Sequence, residues 1–530
     1  MSIVHHFEVI LLMIAACVGL TFVARRLRLP EAAALIVGGL VLAVVPGVPD
    51  FNLDPDLVLV LFLPPLLLLS AYLTDWRALK ADLRIILQLA VGAVVFTTLA
   101  VGWVTHLVLP GLPWAACFAL GAIVSPPDAV AAKAVLQGLP LPARVVTLLE
   151  GESLLNDATG LVLYRLTVVA TLTGAFSSVG AVGSFAVLVI GGVMVGLASG
   201  FLASTIIAKL RDGELGVTAS FLAAWGSYIV GDQLDVSGVL ATVACGIVMG
   251  WRQHSLIDAR HRQQARSVWR VVSFVLESLI FIFIGLSLRG VLRHLRHSPY
   301  SPEHLVLPVG CIVLAVILAR FVWIVLTTYG VRWALPALRR FDPYPPFRVP
   351  LVMSWTGMRG VVSLAAALAL PDQFPGRDIL LLATFAVILV TVLIQGTTLA
   401  PLVRWLRFDR HPPADKKSLG EHAARQRIIA AQIAAVEAVS LGQDGTHAHP
   451  RMIEQYRFRL EAVTRAVNAG GALDGVRSDH FDAVLVAVTA GRAELLRLHQ
   501  RGEIDIEVLR ALETELDADE VRARHLGGQR

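Results

Sequence analysis

Apolar runs of about bilayer-spanning length follow one another from residue 7 to residue 403, and they restrict the fold before any motif does. A helix needs roughly 20 predominantly apolar residues to cross the hydrocarbon core. Lipid offers no hydrogen bonds to the backbone, so only helices and closed barrels can span it. Read between turn and charge signals, the runs are 7–24, 31–48, 56–73, 83–109, 113–136, 145–172, 181–208, 215–231, 236–250, 268–288, 304–328, 349–370 and 378–403. The chain of 530 residues is 56% hydrophobic and only 16% charged, with mean hydropathy +0.70. These values exclude an ordinary soluble protein and predict an all-α polytopic membrane protein of about 13 transmembrane helices.

The net charge of +5 does not signal nucleic acid, because the basic excess sits in the membrane part. From Arg407 on, 18 Lys and Arg face 19 Asp and Glu, whereas the preceding residues carry 27 against 21. Loops after odd-numbered runs hold 19 basic residues, among them Arg25, Arg26, Arg28, Lys133 and five Arg between 252 and 270. The opposite loops hold Arg289, Arg293, Arg296 and Arg377. Basic loops stay in the cytoplasm, so the N-terminus is expected outside and the C-terminal tail inside a multi-pass inner-membrane protein. The first run is preceded by no Lys or Arg and followed by three, the wrong polarity for a cleaved leader, so it is kept as a span. Cys17, Cys117, Cys245 and Cys311 sit in apolar runs without metal-type spacing and read as small core residues.

The sixth run carries charge where a span should not. EGESLLNDATGLVLYRL, residues 150–166, contains Glu152, Asn156, Asp157 and Arg165. An ionised group at mid-bilayer costs at least about 2.5–3.5 kcal/mol, so such residues line cavities and carry function. Glu152 and Asn156 are four apart, as are Ser153 and Asp157, which on a helix crowds them on one flank. Asp157 offers anionic oxygens, and Ser153 and Asn156 neutral ones. That set suits a small hard cation such as Na⁺, or a proton on the same carboxylate. The plainer alternative is that these groups only join helices; two carboxylates within six residues exceed what helix joining needs.

Two runs are interrupted. Ser125-Pro126-Pro127-Asp128 breaks the fifth, because proline lacks the backbone donor and forces its predecessor out of the helical region. Thr356-Gly357-Met358-Arg359-Gly360 breaks the twelfth. If runs 1–6 and 8–13 are two inverted repeats, each break falls in the fifth member, the best sequence pointer to a secondary-transporter site. Asp128 is placed to offset exposed helix N-termini and Arg359 exposed C-termini. Arg320 and Glu277 also lie in apolar runs and need partners. Arg320 is expected to pair with Glu152, Glu277 to serve assembly, Lys133 to snorkel, and Arg165 to act as an interfacial anchor.

Beyond Arg407 the character changes. HPPADKKSLG reads as a linker, and EHAARQRIIAAQIAAVEAV, HFDAVLVAVTAGRAELLRLHQ and IDIEVLRALETELDADEVRARHL as helices. The expected domains are therefore a transmembrane exchange domain, 1–406, and a small helical cytoplasmic tail, 407–530, open to a regulator. His447, His449 and His480 sit in no repeating ligand pattern and are read as solvated.

Taken together, AIVSPPDAVAAKAVL, LLEGESLLNDATGLVLYRL, FVLESLIFIFIGLSL, ILARFVW and SWTGMRGVVSLAAALALP resemble bacterial sodium/proton exchangers of the NhaP type across essentially the whole membrane part. The resemblance implies crossed discontinuous helices, and an ion site at Asn156 and Asp157 with Ser153 in the cation shell. It also implies a Glu152–Arg320 pair, Asp128 and Arg359 at the helix crossing, and a homodimer whose core moves against a dimerisation domain. Where many relatives carry a carboxylate after the LPP of the third run, this chain has Leu69 and Ser70. Pro127, in place of a hydroxyl residue, precedes Asp128, leaving its carbonyl as the contribution. The expected function is exchange of a monovalent cation, Na⁺ first and Li⁺ or K⁺ as alternatives, for protons. It needs no resident cofactor, and its surroundings are membrane lipid, not nucleic acid. The alternatives are a tail-gated cation channel, for which no filter-like loop is seen, and an intramembrane enzyme, for which no nucleophile–base pair or HExxH pattern lies in the spans.

Overall fold

The computed structural model describes residues 3–27, 29–45, 55–128, 132, 139, 141–174, 178–210, 212–256, 259–296, 302–334, 344–408, 421–441, 447–468, 474–501 and 506–527. Lys133 lies outside them. The chain divides into two compact units, Met1–Arg410 and His411–Arg530.

In the first unit every apolar run contains a helix. They are α1 (Ile3–Leu27), α2 (Glu31–Val44), α3 (Pro55–Leu73), α4 (Leu83–Val108), α5 (Trp114–Val124), α6 (Ala143–Thr173) and α7 (Ser178–Leu210). There follow α8 (Gly213–Gln233), α9 (Gly238–Leu256), α10 (Ala259–Arg296), α11 (Pro302–Val325), α12 (Arg348–Trp355), α13 (Val361–Leu368) and α14 (Arg377–Trp405). Among the described residues, five helical stretches are long and apolar enough to cross a membrane outright: Leu83–Val108, Gly183–Leu210, Arg262–Ser287, His304–Ala334 and Arg377–Trp405.

Leu11, Leu12, Phe22, Leu202, Leu222 and Leu314 are exposed, as helices facing lipid require, and burial is reserved for the seams between helices. Three of the apolar clusters that fill those seams position the site. One joins α1, α2, α10 and α14 through Met13, Ile36, Ile282 and Ile388; a second joins α5, α11 and α14 through Leu120, Ile312 and Leu380; a third joins α3, α6 and α9 through Leu67, Leu154 and Val243. The short helix α13 touches all three, with Leu364 in the first, Ala366 and Ala367 in the second and Val362 against the third. The second helix break therefore stands at the junction of the packing. α14 carries a π-helical turn, Thr391–Gln395, a local widening that often marks function.

The second unit holds α15 (Glu421–Ser440), α16 (Pro450–Asn468), α17 (Asp474–Gln500) and α18 (Ile506–Gly527). The sequence reading did not single out α16, although Ile453 is buried and Tyr456, Leu460 and Thr464 are half-buried at helical spacing. Arg492 of α17 reaches Asp517 at 2.6 Å and Glu520 at 2.7 Å on α18.

Candidate functional site

α6 runs through the polar motif without interruption, and the flank expected from spacing divides into two neighbouring faces. Ser153 and Asp157 line a cavity of about 490 Å³. Glu152 and Asn156, one residue behind each, turn to the protein. Glu152 accepts two bonds from Arg320 of α11, at 2.5 Å to Oε1 and 2.9 Å to Oε2. Both side chains are nearly fully enclosed, so each neutralises a charge that the interior would not hold alone. Arg320 Nε also donates to the Met353 carbonyl at 3.1 Å, tying α11 and α6 to the end of α12.

Asn156 donates through Nδ2 to the Pro127 carbonyl at 2.7 Å, and its Oδ1 has no hydrogen-bond partner among the described residues. Pro127 thus enters the site through its backbone oxygen, which the second proline of a Pro-Pro break leaves outside any helical ladder.

The two breaks meet. α5 ends at Val124, and the Val124 and Ser125 carbonyls are orphaned because the prolines cannot continue the helix. Arg359 takes both, Nε at 2.8 Å to Val124 and Nη2 at 3.4 Å to Ser125, and Nη1 donates to the Gly357 carbonyl. Its backbone N–H donates to Thr391 Oγ1 at 3.1 Å, the first residue of the π-helical turn. A guanidinium with five donors in a planar fork suits this bundle of carbonyls. The Asp128 N–H donates to the Met358 carbonyl at 2.7 Å, so the two interrupted segments bond directly.

Asp128 lies beside Gly360, the N-cap of α13, and a Cβ at Gly360 would overlap the Asp128 carboxylate. The glycine is required by this close approach. An anion at a helix N-terminus and a cation at a helix C-terminus are each favoured by the aligned peptide dipoles. Gly357 has a similar constraint: its added Cβ would meet Arg320 Cδ at 2.7 Å and Arg359 Nη1 at 2.8 Å.

The cavity runs from exposed Arg25, Arg266 and Arg270 to the deep wall formed by Asp128, Ser153, Asp157 and Gly360–Ser363. α10 presents one continuous face to it, Arg262, Arg266, Arg270, Ser273 and Glu277, spaced by three or four residues. Glu277 therefore lines the same cavity as Asp157, a position its expected role in assembly did not anticipate. Arg165 reaches Asp232 of α8 at 3.4 Å with both side chains more than half exposed. The sequence reading also missed Ser363 and Thr391. Ser363 had a signal, since it lies three residues past Gly360 on the same short helix; Thr391 had none beyond its apolar run. Among the described residues no His, Cys, Asp and Glu grouping is arranged to hold a metal ion.

Comparisons with known proteins give the family and the fold. The model of the family described as sodium/hydrogen exchanger, transmembrane, matches residues 12–405. An uncharacterized Na⁺/H⁺ exchanger of Mycobacterium tuberculosis is 33% identical over 540 aligned residues, covering 98% of this chain and 97% of its own. A sodium, potassium, lithium and rubidium/H⁺ antiporter of Bacillus pumilus is 29% identical, covering 94% of this chain and 75% of its own. The structure of the sodium proton antiporter MjNhaP1 from Methanocaldococcus jannaschii superposes with TM-score 0.60 at 20% identity, covering 77% of this chain and 99% of that one. That likeness shows the fold, an all-helical antiporter architecture. By the family match and by its full-length relatives, the chain belongs to the sodium/hydrogen exchangers, a transporter family of bacterial NhaP type.

Proposed function

We propose that this protein exchanges one monovalent cation, Na⁺ with Li⁺ or K⁺ as alternatives, for one proton across the cytoplasmic membrane. The observation that carries the reading is a buried carboxylate, Asp157, beside Ser153 at the deep end of a cavity that reaches the surface at its other end. Burial disfavours a bare carboxylate, so Asp157 is held with either a proton or a cation, and each displaces the other. Ser153 adds a neutral oxygen to the cation shell. Asn156 acts with the Pro127 carbonyl to fix the approach of α6 to the first break. Glu152 with Arg320, and Asp128 with Arg359, hold the frame in which Asp157 sits.

The two breaks are equivalent members of two inverted repeats, and the site opens alternately to each side as one set of helices moves against the other. One-for-one exchange is electroneutral and serves pH and sodium homeostasis. By the basic-loop rule, the N-terminus is outside, the tail inside, and the arginine-lined mouth cytoplasmic. Residues 1–406 form the exchange domain, working as a homodimer in lipid, and 407–530 a regulatory tail that takes a cytoplasmic partner. The multiple cations named for the Bacillus relative support testing more than Na⁺.

The test uses vesicles of the purified protein with an imposed pH gradient and a trapped pH dye, adding Na⁺, Li⁺ or K⁺ in turn. Dye recovery that needs one of these cations supports the reading. Proton movement indifferent to every cation, or conductance far above transporter rates, overturns it.

A further inference from the structure

We infer that Ser363, on the short helix after the second break, is a ligand of the transported cation. The inference rests on the exchange reading of Asp157 and adds an oxygen to that site. Ser363 is 1% exposed, lines the cavity together with Asp157, Ser153 and Asp128, and its Oγ has no hydrogen-bond partner among the described residues.

That orphan state has a local cause. Many hydroxyls buried in the other helices bond back to the preceding turn, among them Ser354 to the Pro350 carbonyl at 2.8 Å, Thr98 to Val94 at 2.8 Å and Thr391 to Val387 at 2.7 Å, whereas Thr21, Ser273 and Thr384 do not. Ser363 sits in the first turn of α13, and Gly360 before it has φ −144 and ψ −139, far from helical. The carbonyl of Arg359, four residues back, therefore lies outside the helical ladder. The hydroxyl is left unsatisfied at the wall of the cavity. Buried polar atoms are almost always paired, and one that is not calls for a partner absent from the protein itself.

The chemistry of the deep wall points to which partner. A hard cation gathers about six oxygens. From α6 the cavity receives Glu150, Ser153 and Asp157, whereas Asn156 is turned to Pro127. The wall that α3 contributes, which includes Leu66, Leu67, Leu68, Leu69 and Ser70, contains no carboxylate. α13 packs against α6, with Val362 against the cluster that holds Leu154 and Ala158. A neutral hydroxyl there adds an oxygen to the deep wall without adding charge beside Asp157 and Asp128.

The test is Ser363→Ala in the full-length protein, with Ser363→Thr to restore the hydroxyl and Thr384→Val as comparator. Thr384 is also fully buried with an unpartnered hydroxyl, but it does not line the cavity. Three readouts are needed: the apparent KM for Na⁺ and Li⁺ in reconstituted vesicles, the maximal rate, and Na⁺ binding to the purified protein without turnover. For Ser363→Ala the expected result is about a tenfold weaker KM and binding, the loss of one ion-directed hydrogen-bond-sized contact. The maximal rate should stay within a factor of about two, and thermal stability should hold or rise, because an orphaned polar atom has been removed. Threonine should restore affinity, and Thr384→Val should leave it untouched.

Unchanged cation affinity in Ser363→Ala overturns the proposal. So does a loss of affinity matched by lost stability and not restored by threonine, which marks a packing role. Wild-type protein that binds Na⁺ but moves no protons refutes the exchange reading while the binding series still decides the role of Ser363; wild-type protein that binds no cation overturns both.

Discussion

Removing the two partners of the buried Glu152–Arg320 pair one at a time should give unequal losses. Both charges are almost completely enclosed and meet through two bonds, so deleting either partner leaves an uncompensated buried charge, at a cost of about 3–5 kcal/mol. The environment makes the two deletions differ. Arg320 and Arg359 flank Gly357 closely enough that a single added carbon would touch both side chains. In Arg320→Met, the stranded Glu152 still has the Arg359 guanidinium nearby. In Glu152→Gln, Arg320 and Arg359 lose the carboxylate that Arg320 binds. Two like unit charges about 6 Å apart at an effective dielectric near 20 repel by roughly 3 kcal/mol, which sets the scale of the effect. Glu152→Gln should therefore destabilise more than Arg320→Met, by about 1–3 kcal/mol after relaxation, and the double change Glu152→Gln/Arg320→Met should recover much of the loss. Thermal unfolding of the four proteins in one detergent, closed as a double-mutant cycle, gives the coupling. Equal single-variant losses that add in the double variant would refute the reasoning, because they would mean that neither charge feels the other.

Three further outcomes follow from the same geometry. Gly360→Ala places a carbon on the Asp128 carboxylate and should cost about 1–3 kcal/mol by overpacking and abolish exchange. Gly226→Ala, whose added carbon meets nothing within 4 Å, should be silent in the same unfolding and transport assays. In the second unit, hydrogen bonds from Arg492 and then Arg524 hold the Glu520 carboxyl below its ordinary range. Because that value is depressed, the contribution of Glu520 to the α17–α18 contact is complete above the ordinary glutamate range and is lost as pH falls through the depressed value. Amide protection factors across α17 and α18 should fall below about pH 4 and respond less to acid in Glu520→Gln.

Much of the fold was legible because lipid leaves so few solutions: length and polarity place each helix, and Pro126-Pro127 and Gly357-Gly360 stop two of them. Glu152 and Arg320 are 168 residues apart, yet charge balance alone suggested their meeting. What spacing does not encode is rotation. Glu152 and Ser153 differ by one residue, or about 100° on a helix, and this separates an ion pair from a cavity wall. The same limit hid Glu277, whose face on α10 is set by packing against α2, α8 and α14 and not by any local motif. The carbonyl partners of Arg359, 234 and 235 residues away, have no sequence signature, because every residue carries a carbonyl. α16 was overlooked because its apolar face is narrow and interleaved with Arg451, Arg457 and Arg459.

Competition between a cation and a proton for Asp157 is tested most directly by the apparent KM for the transported cation as a function of pH, measured in vesicles of the purified protein beside Asp157→Asn. One site shared by two exclusive occupants predicts that, on the acid side, KM rises about tenfold for each pH unit lost, while the maximal rate at saturating cation is preserved; Asp157→Asn should show no cation-dependent proton movement. A KM independent of pH, or full exchange in Asp157→Asn, would contradict it, and would place proton and cation on different groups.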